Sequence, residues 1–236
     1  MTKRIRAVAF DAFDTLIVRH IRYKSPLKEF VANAYPFHSR DLEIKLSREA
    51  MSNRMTIHDI ADEARCICGP HAASEQNIES GIEAAYEAMK LHMNPGTYRR
   101  SPSVETVLKT ALQSNLQVGV VSDLAASFEP IVERELHDVQ PHILSFDVGA
   151  IKESGEPFYT LADKLGCQLE EIAFVGDNLV SDYRTPKDLG MEAFLYVPNE
   201  HFASRNGNAM TTYKNDVITE LPQVFTKLRQ RGYTFG

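Results

Sequence analysis

Four apolar runs in this chain lead to residues that can do chemistry. "AVAFDAFDTL" carries one run into Asp11, and "LQVGVVSD" ends another in Ser122 and Asp123. Lys152 stands a few residues beyond "SFDVG", and "IAFVGDNLVSD" ends in Asp177 with Asp182 close behind. Carboxylates act as nucleophiles in covalent catalysis and as ligands for hard cations. Placed side by side, Asp11 and Asp177 repel unless a cation or a shared proton lies between them. Magnesium suits that need, since it takes one or two carboxylates together with waters and phosphate oxygens. A hydroxyl and an ammonium beside it can stabilise charge on a transferring group.

The runs that end in these residues lack polar alternation, the mark of strands buried on both faces. Between them the pattern is helical: "SVETVLKTALQSN", "AASFEPIVERELH" and "EPFYTLADKLG" precede or follow the strands "LQVGVVS", "ILSFDVG", "IAFVGD" and "EAFLYV". Strand and helix in alternation predict an α/β fold, a Rossmann-like parallel sheet with helices on both faces. Ligands of such sheets sit outside the carboxyl ends of the strands, which would gather Asp11, Ser122, Lys152 and Asp177. From about Ser25 to Met93 the chain is helical throughout, and "NPGTYRRSP" breaks the pattern. The predicted division is a core of residues 1–22 and 95–236 and a helical insert of residues 23–94 after the first strand, in the position where a cap would sit over the strand ends.

The chain has 236 residues, 43% hydrophobic and 25% charged, enough for one core with an appended piece. A net charge of -6 without an extended basic stripe argues against a nucleic-acid partner. No stretch approaches membrane-spanning length and no signal segment stands at the start, so a cytoplasmic protein without membrane partners is expected. Three cysteines cannot all pair; reduced thiols are expected, with Cys66 and Cys68 a buried pair in the cap. "CICGPH" beside His58 and His71 lacks the spacing of a structural zinc site. "PNEHFASRNGNAM" is a candidate homodimer contact or a loop.

"FDAFDTL", "VGVVSD", "GAIKESGEPFYTLADKLG" and "FVGDNLVSDYRTPKDLG" resemble, in order, the four motifs of the haloacid dehalogenase superfamily of hydrolases, in its FDxFDTL-type branch. The resemblance implies a magnesium-dependent phosphohydrolase acting on a small phosphorylated molecule, with Asp11 as the nucleophile that forms an aspartyl-phosphate. It further implies that Ser122 donates to the transferring group, that Lys152 neutralises its charge, and that Asp177 and Asp182 hold magnesium with Asp11 and the Phe13 carbonyl. Asp123 and Arg19 are candidate substrate contacts, Arg19 through its bidentate guanidinium.

One position departs from the phosphatase pattern. Most phosphatases of the superfamily place a proton-donating Asp two residues after the nucleophile, and here Phe13 stands there with Asp14 one residue later. On an extended chain that shift turns the Asp14 side chain away. The departure admits three readings: a phosphohydrolase whose acid is Asp14 or a cap residue, a metal-independent 2-haloacid dehalogenase whose halide leaves unprotonated, and a non-catalytic relative that binds a phospho-ligand or a partner.

Overall fold

The computed structural model describes residues 3–21, 23–37, 40–69, 72–199 and 209–236. Its centre is a six-stranded, wholly parallel sheet. In chain order the strands are β1 (Ala7–Phe10), β2 (Gln117–Ser122), β3 (His142–Leu144), β4 (Ile172–Gly176), β5 (Glu192–Tyr196) and β6 (Val217–Ile218). Across the sheet they run β3, β2, β1, β4, β5, β6, so β1 lies in the interior between β2 and β4. Phe10 pairs with Val120 on one side and Val175 on the other. That register carries Asp11, Ser122 and Asp177 past the ends of three adjacent strands to one edge.

Every residue of β1 is buried, as the unbroken apolar run demands. Val8 and Phe10 face a core shared with helices Ser103–Gln113, Glu129–Leu136 and Gln223–Gln230, while Ala7 and Ala9 face the helix Glu156–Leu165. The fold is the expected α/β sheet with helices on both faces. Helix Glu156–Leu165 stops at Gly166, whose φ of 59° is a left-handed cap that glycine adopts without strain.

Between β1 and the helix Ser103–Gln113 the described residues make four helices, Pro26–Ala34, Arg40–Ser52, Ile57–Cys68 and Glu75–Met93, around their own apolar cluster of Phe30, Tyr35, Leu46, Ile60 and Ile78. The first and last of these helices touch at Gly81, where an added Cβ would meet the Ala34 Cβ at 2.8 Å and the Phe30 carbonyl oxygen at 2.9 Å.

Three local expectations are corrected. "NPGTYRRSP" is more than a break: Tyr98–Arg100 pairs antiparallel with Ile17–Arg19, so the two chain crossings between core and insert form a ribbon. "ILSFDVG" keeps strand form only to Leu144; Ser145–Val148 turns into a short helix closed by Gly149 at φ 80°. Cys66 is exposed and Cys68 half-buried, so no buried thiol pair exists, although Cys66, Cys68 and Cys167 are all free thiols as expected. No helix among the described residues is long and apolar enough to cross a membrane. His38, His71 and most of "PNEHFASRNGNAM" lie outside the described residues.

Candidate active site

Asp11 leaves β1 with its amide donating to the Val175 carbonyl at 2.9 Å, which ties it to the end of β4. Its Oδ1 accepts from Lys152 Nζ at 2.7 Å and from Ser122 Oγ at 3.2 Å. The same ammonium donates to Asp182 Oδ1 at 2.5 Å. Asp182 is held in turn by the Asn178 amide on Oδ2 at 2.9 Å and by Ser181 Oγ on Oδ1 at 3.1 Å. Asp123 accepts the backbone amide of Lys152 at 2.9 Å and so anchors the loop that delivers the lysine. Asp11, Ser122, Lys152, Asp177 and Asp182 are all buried.

Asp11, Asp177 and Asp182 each offer an oxygen within 4.8 Å of the others. Three carboxylates facing one ammonium leave an excess of negative charge in a site walled from water. Burial pushes the Asp11 carboxyl well above the usual range; Lys152 opposes this, and the Asp182 and Asp177 charges add to it. Burial alone would lower Lys152, but Asp11, Asp182 and Asp123 together raise it above its ordinary value. Burial also raises Asp123, against the pull of Lys152. An all-oxygen set with surplus charge fits a hard divalent cation such as magnesium, which relieves the repulsion that desolvation exaggerates.

The turn after β1 decides which side chains share this cleft. Leu16 and Ile17 both donate to the Ala12 carbonyl, at 2.9 and 2.8 Å, folding the segment back tightly. Asp14 takes a φ of 62°, left-handed backbone that Asp tolerates better than most residues. The chain is therefore not extended here, and Asp14 lines the same cleft as Asp11, with Phe13, Arg48, Met51, Asp123, Lys152 and Asp177. The expectation that Asp14 turns away is corrected by this turn.

Arg19 is not brought to the acids. It is exposed, lies over the Tyr98 ring at 5.7 Å, and lines a second, larger cavity between the insert and the core. Residue patterns did not single out Arg48 and Met51, which the insert places over the acids, or Asn178, whose side chain accepts from the Val180 and Ser181 amides and shapes the Asp182 loop. The asparagine was legible as the polar residue that opens a helical turn; the insert residues carried no signal, since one sequence does not show which helical face meets the sheet edge. His92 is buried, with Nδ1 2.6 Å from the Tyr98 hydroxyl and Nε2 2.9 Å from the Lys24 carbonyl, a structural pairing that its spacing did not announce.

Comparison with known proteins finds the same fold elsewhere. A 2-haloacid dehalogenase from Pseudomonas syringae superposes with a TM-score of 0.62 at 16% identity, covering 96% of this chain and 99% of that one. An enzyme of the same family from Bacteroides thetaiotaomicron, solved also with magnesium and inorganic phosphate, reaches 0.56 at 14% identity over 87% of this chain and 100% of its own. A phosphatase from Thermococcus onnurineus reaches 0.52 at 20% identity over 83% and 87%. At such identities the likeness is one of fold. No curated protein sequence matches the chain. The family model described as haloacid dehalogenase-like hydrolase matches residues 5–190. Since that span takes in the whole sheet edge from Asp11 to Asp182, the chain belongs to the haloacid dehalogenase-like hydrolases.

Proposed function

We propose that the protein is a magnesium-dependent phosphohydrolase that acts on a small phosphorylated molecule through an aspartyl-phosphate on Asp11. The observation that carries this reading is the pinning of Asp11 Oδ1 by Ser122 and Lys152 beside two further acids. Asp11, Asp177 and the Phe13 carbonyl would hold the cation, with Asp182 supporting it through water. Magnesium bound there would neutralise charge on the phosphoryl oxygens.

The chain's own groups supply the rest. With both observed hydrogen bonds on Oδ1, Asp11 Oδ2 is the atom for attack on phosphorus. Lys152 holds the carboxylate in place and offsets charge on the transferring group, and the Ser122 hydroxyl stands within reach of it. Asp14 is the acid for the leaving oxygen. It lines the cleft with Asp11, at the turn that follows β1.

The test is release of phosphate from a panel of phosphomonoesters with magnesium, and its loss with a chelator and in Asp11→Asn. Phe13 gives the dehalogenase reading its footing, because a halide leaves without a proton. Halide release from a 2-haloacid in the presence of chelator, with every phosphomonoester inert, would overturn the phosphohydrolase in its favour.

A further inference from the structure

The acidic cleft, lined mostly by charged and polar groups, suits a phosphoryl group and offers an apolar substituent little to contact. Beside it, between insert and core, lies the cavity of about 670 Å³ that Arg19 also lines; Phe13, Met51 and Asp123 belong to the walls of both. A volume of roughly 300–1,000 Å³ accommodates a drug-sized ligand, several times the bulk of a three-carbon acid.

Apolar side chains make up most of the wall of the larger cavity. Leu27, Ile57, Ile60 and Met89 come from the insert and Phe128 from the core. Phe13 completes it, packing edge-on against Tyr98 at 5.4 Å and Phe128 at 6.0 Å. The residue that removes a proton donor from the cleft thus supplies an aromatic surface next to the reacting atoms.

Four of the polar groups on this wall are engaged within the protein: His92, Tyr98, Thr56 and Arg54. The Nε2 of His92 faces the Lys24 carbonyl, which makes that nitrogen the N–H; Nδ1 then accepts from the Tyr98 hydroxyl. The Thr56 hydroxyl bonds with Asp59, and the Arg54 guanidinium is bound by Glu129 and Asp147. A polar ligand gains little by displacing such bonds, whereas an apolar one gains by leaving water.

From this we infer that the cavity receives the part of the substrate that is not transferred, and that this part is apolar and large: the substrate class is phosphomonoesters of aryl or medium-chain alkyl alcohols. The inference rests on the phosphoryl group lying in the acidic cleft. Burial of each further methylene raises affinity by up to about fourfold, so selectivity rises steeply with chain length until the cavity is full.

The experiment measures kcat/KM with magnesium for ethyl, butyl, hexyl and octyl phosphate and for 2-naphthyl phosphate, alongside calorimetric binding of the same esters to Asp11→Asn. Expected is a rise of about two- to fourfold per methylene, carried by KM, and octyl phosphate bound at least tenfold more tightly than ethyl phosphate. Met89→Glu and, as a second variant, Ile57→Glu should each reduce the octyl-to-ethyl ratio about tenfold or more, while Met89→Leu retains it. Circular dichroism confirms which variants fold. Chain-length-dependent binding without turnover would keep the inference and remove the hydrolytic reading. Equal kcat/KM and equal binding along the series would overturn the inference, and phosphate released from the short esters would then leave the hydrolytic reading intact.

Discussion

Asp182 lies so close against Gly176 that a Cβ on the glycine would stand 2.5 Å from its carboxylate oxygen and 2.6 Å from its Cβ. The glycine ends β4, and the loop it opens folds back to deliver Asp182 to Lys152. Gly176→Ala must therefore push Asp182 away from both Lys152 and the Asn178 amide. Overpacking of this kind costs about 1–3 kcal/mol, and a displaced outer-shell carboxylate weakens metal binding about 10- to 100-fold. Urea unfolding and a calorimetric magnesium titration read the two effects; an alanine variant with unchanged stability and affinity would refute the packing argument.

Lys152 is the one ammonium that the described residues place among the buried acids of the site, so Lys152→Met leaves carboxylates facing one another. Breaking a buried pair by removing one partner costs about 3–5 kcal/mol, and magnesium should recover much of it. The pH dependence follows from the directions of the shifts. Lys152 titrates above its ordinary 10.5, so the stability it adds is whole below pH 10.5 and is lost as pH climbs past that value. Asp11 is raised above 3.8, chiefly by burial, so its contribution is present below pH 3.8 and is lost as pH rises through the raised value. Magnesium competes with that proton. Thermal melting with and without magnesium should show a stabilisation that grows with pH across the acidic range, and a pH-independent stabilisation would contradict the assignment of Asp11 as a ligand.

Asp14→Asn separates the leaving-group proton from everything else the turn does. Asn accepts left-handed backbone as readily as Asp, so the φ of 62° survives the change. General acid catalysis contributes about 10²- to 10⁴-fold. The variant should lose that much kcat on alkyl phosphates and less than about tenfold on 4-nitrophenyl phosphate, whose phenolate leaves without help. Equal losses on both would place the acid elsewhere.

Asp11, Ser122, Lys152 and Asp177 were legible because each follows an apolar run, and a parallel sheet collects the ends of its strands at one edge. Their mutual contacts depend on register, which here sets Phe10 opposite both Val120 and Val175. The place of Asp14 in the cleft depends on one left-handed residue that no spacing reveals. The ribbon of Ile17–Arg19 with Tyr98–Arg100 was invisible for another reason: its partners are separated by the whole insert, and three-residue strands carry little period. Arg19 follows from the same ribbon, which aims it at Tyr98 and away from the acids.

Arg54 joins the insert to the core at the wall of the larger cavity, and this junction sets how the cavity closes. Its guanidinium spans Glu129, at 2.7 and 3.1 Å, and Asp147, at 2.7 Å, while lying 4.6 Å over the Phe146 ring. Lysine cannot reproduce a fork that binds two carboxylates and stacks on a ring at once. Arg54 and Asp147 are exposed and Glu129 is half-buried, so the junction is weak and salt screens it, with a Debye length of about 8 Å at physiological ionic strength. A junction of that strength can open for substrate and product without unfolding either part. Arg54→Ala and Arg54→Lys should raise KM for octyl phosphate about three- to tenfold with little change in kcat, since the ion pairs lie away from Asp11. Raising salt from about 0.05 to about 0.5 M should raise the wild-type KM toward that of the variants and leave theirs nearly constant. A salt response shared equally by wild type and Arg54→Ala would show that the closure depends on other contacts, such as the longer Arg48–Glu153 pair at 3.8 Å.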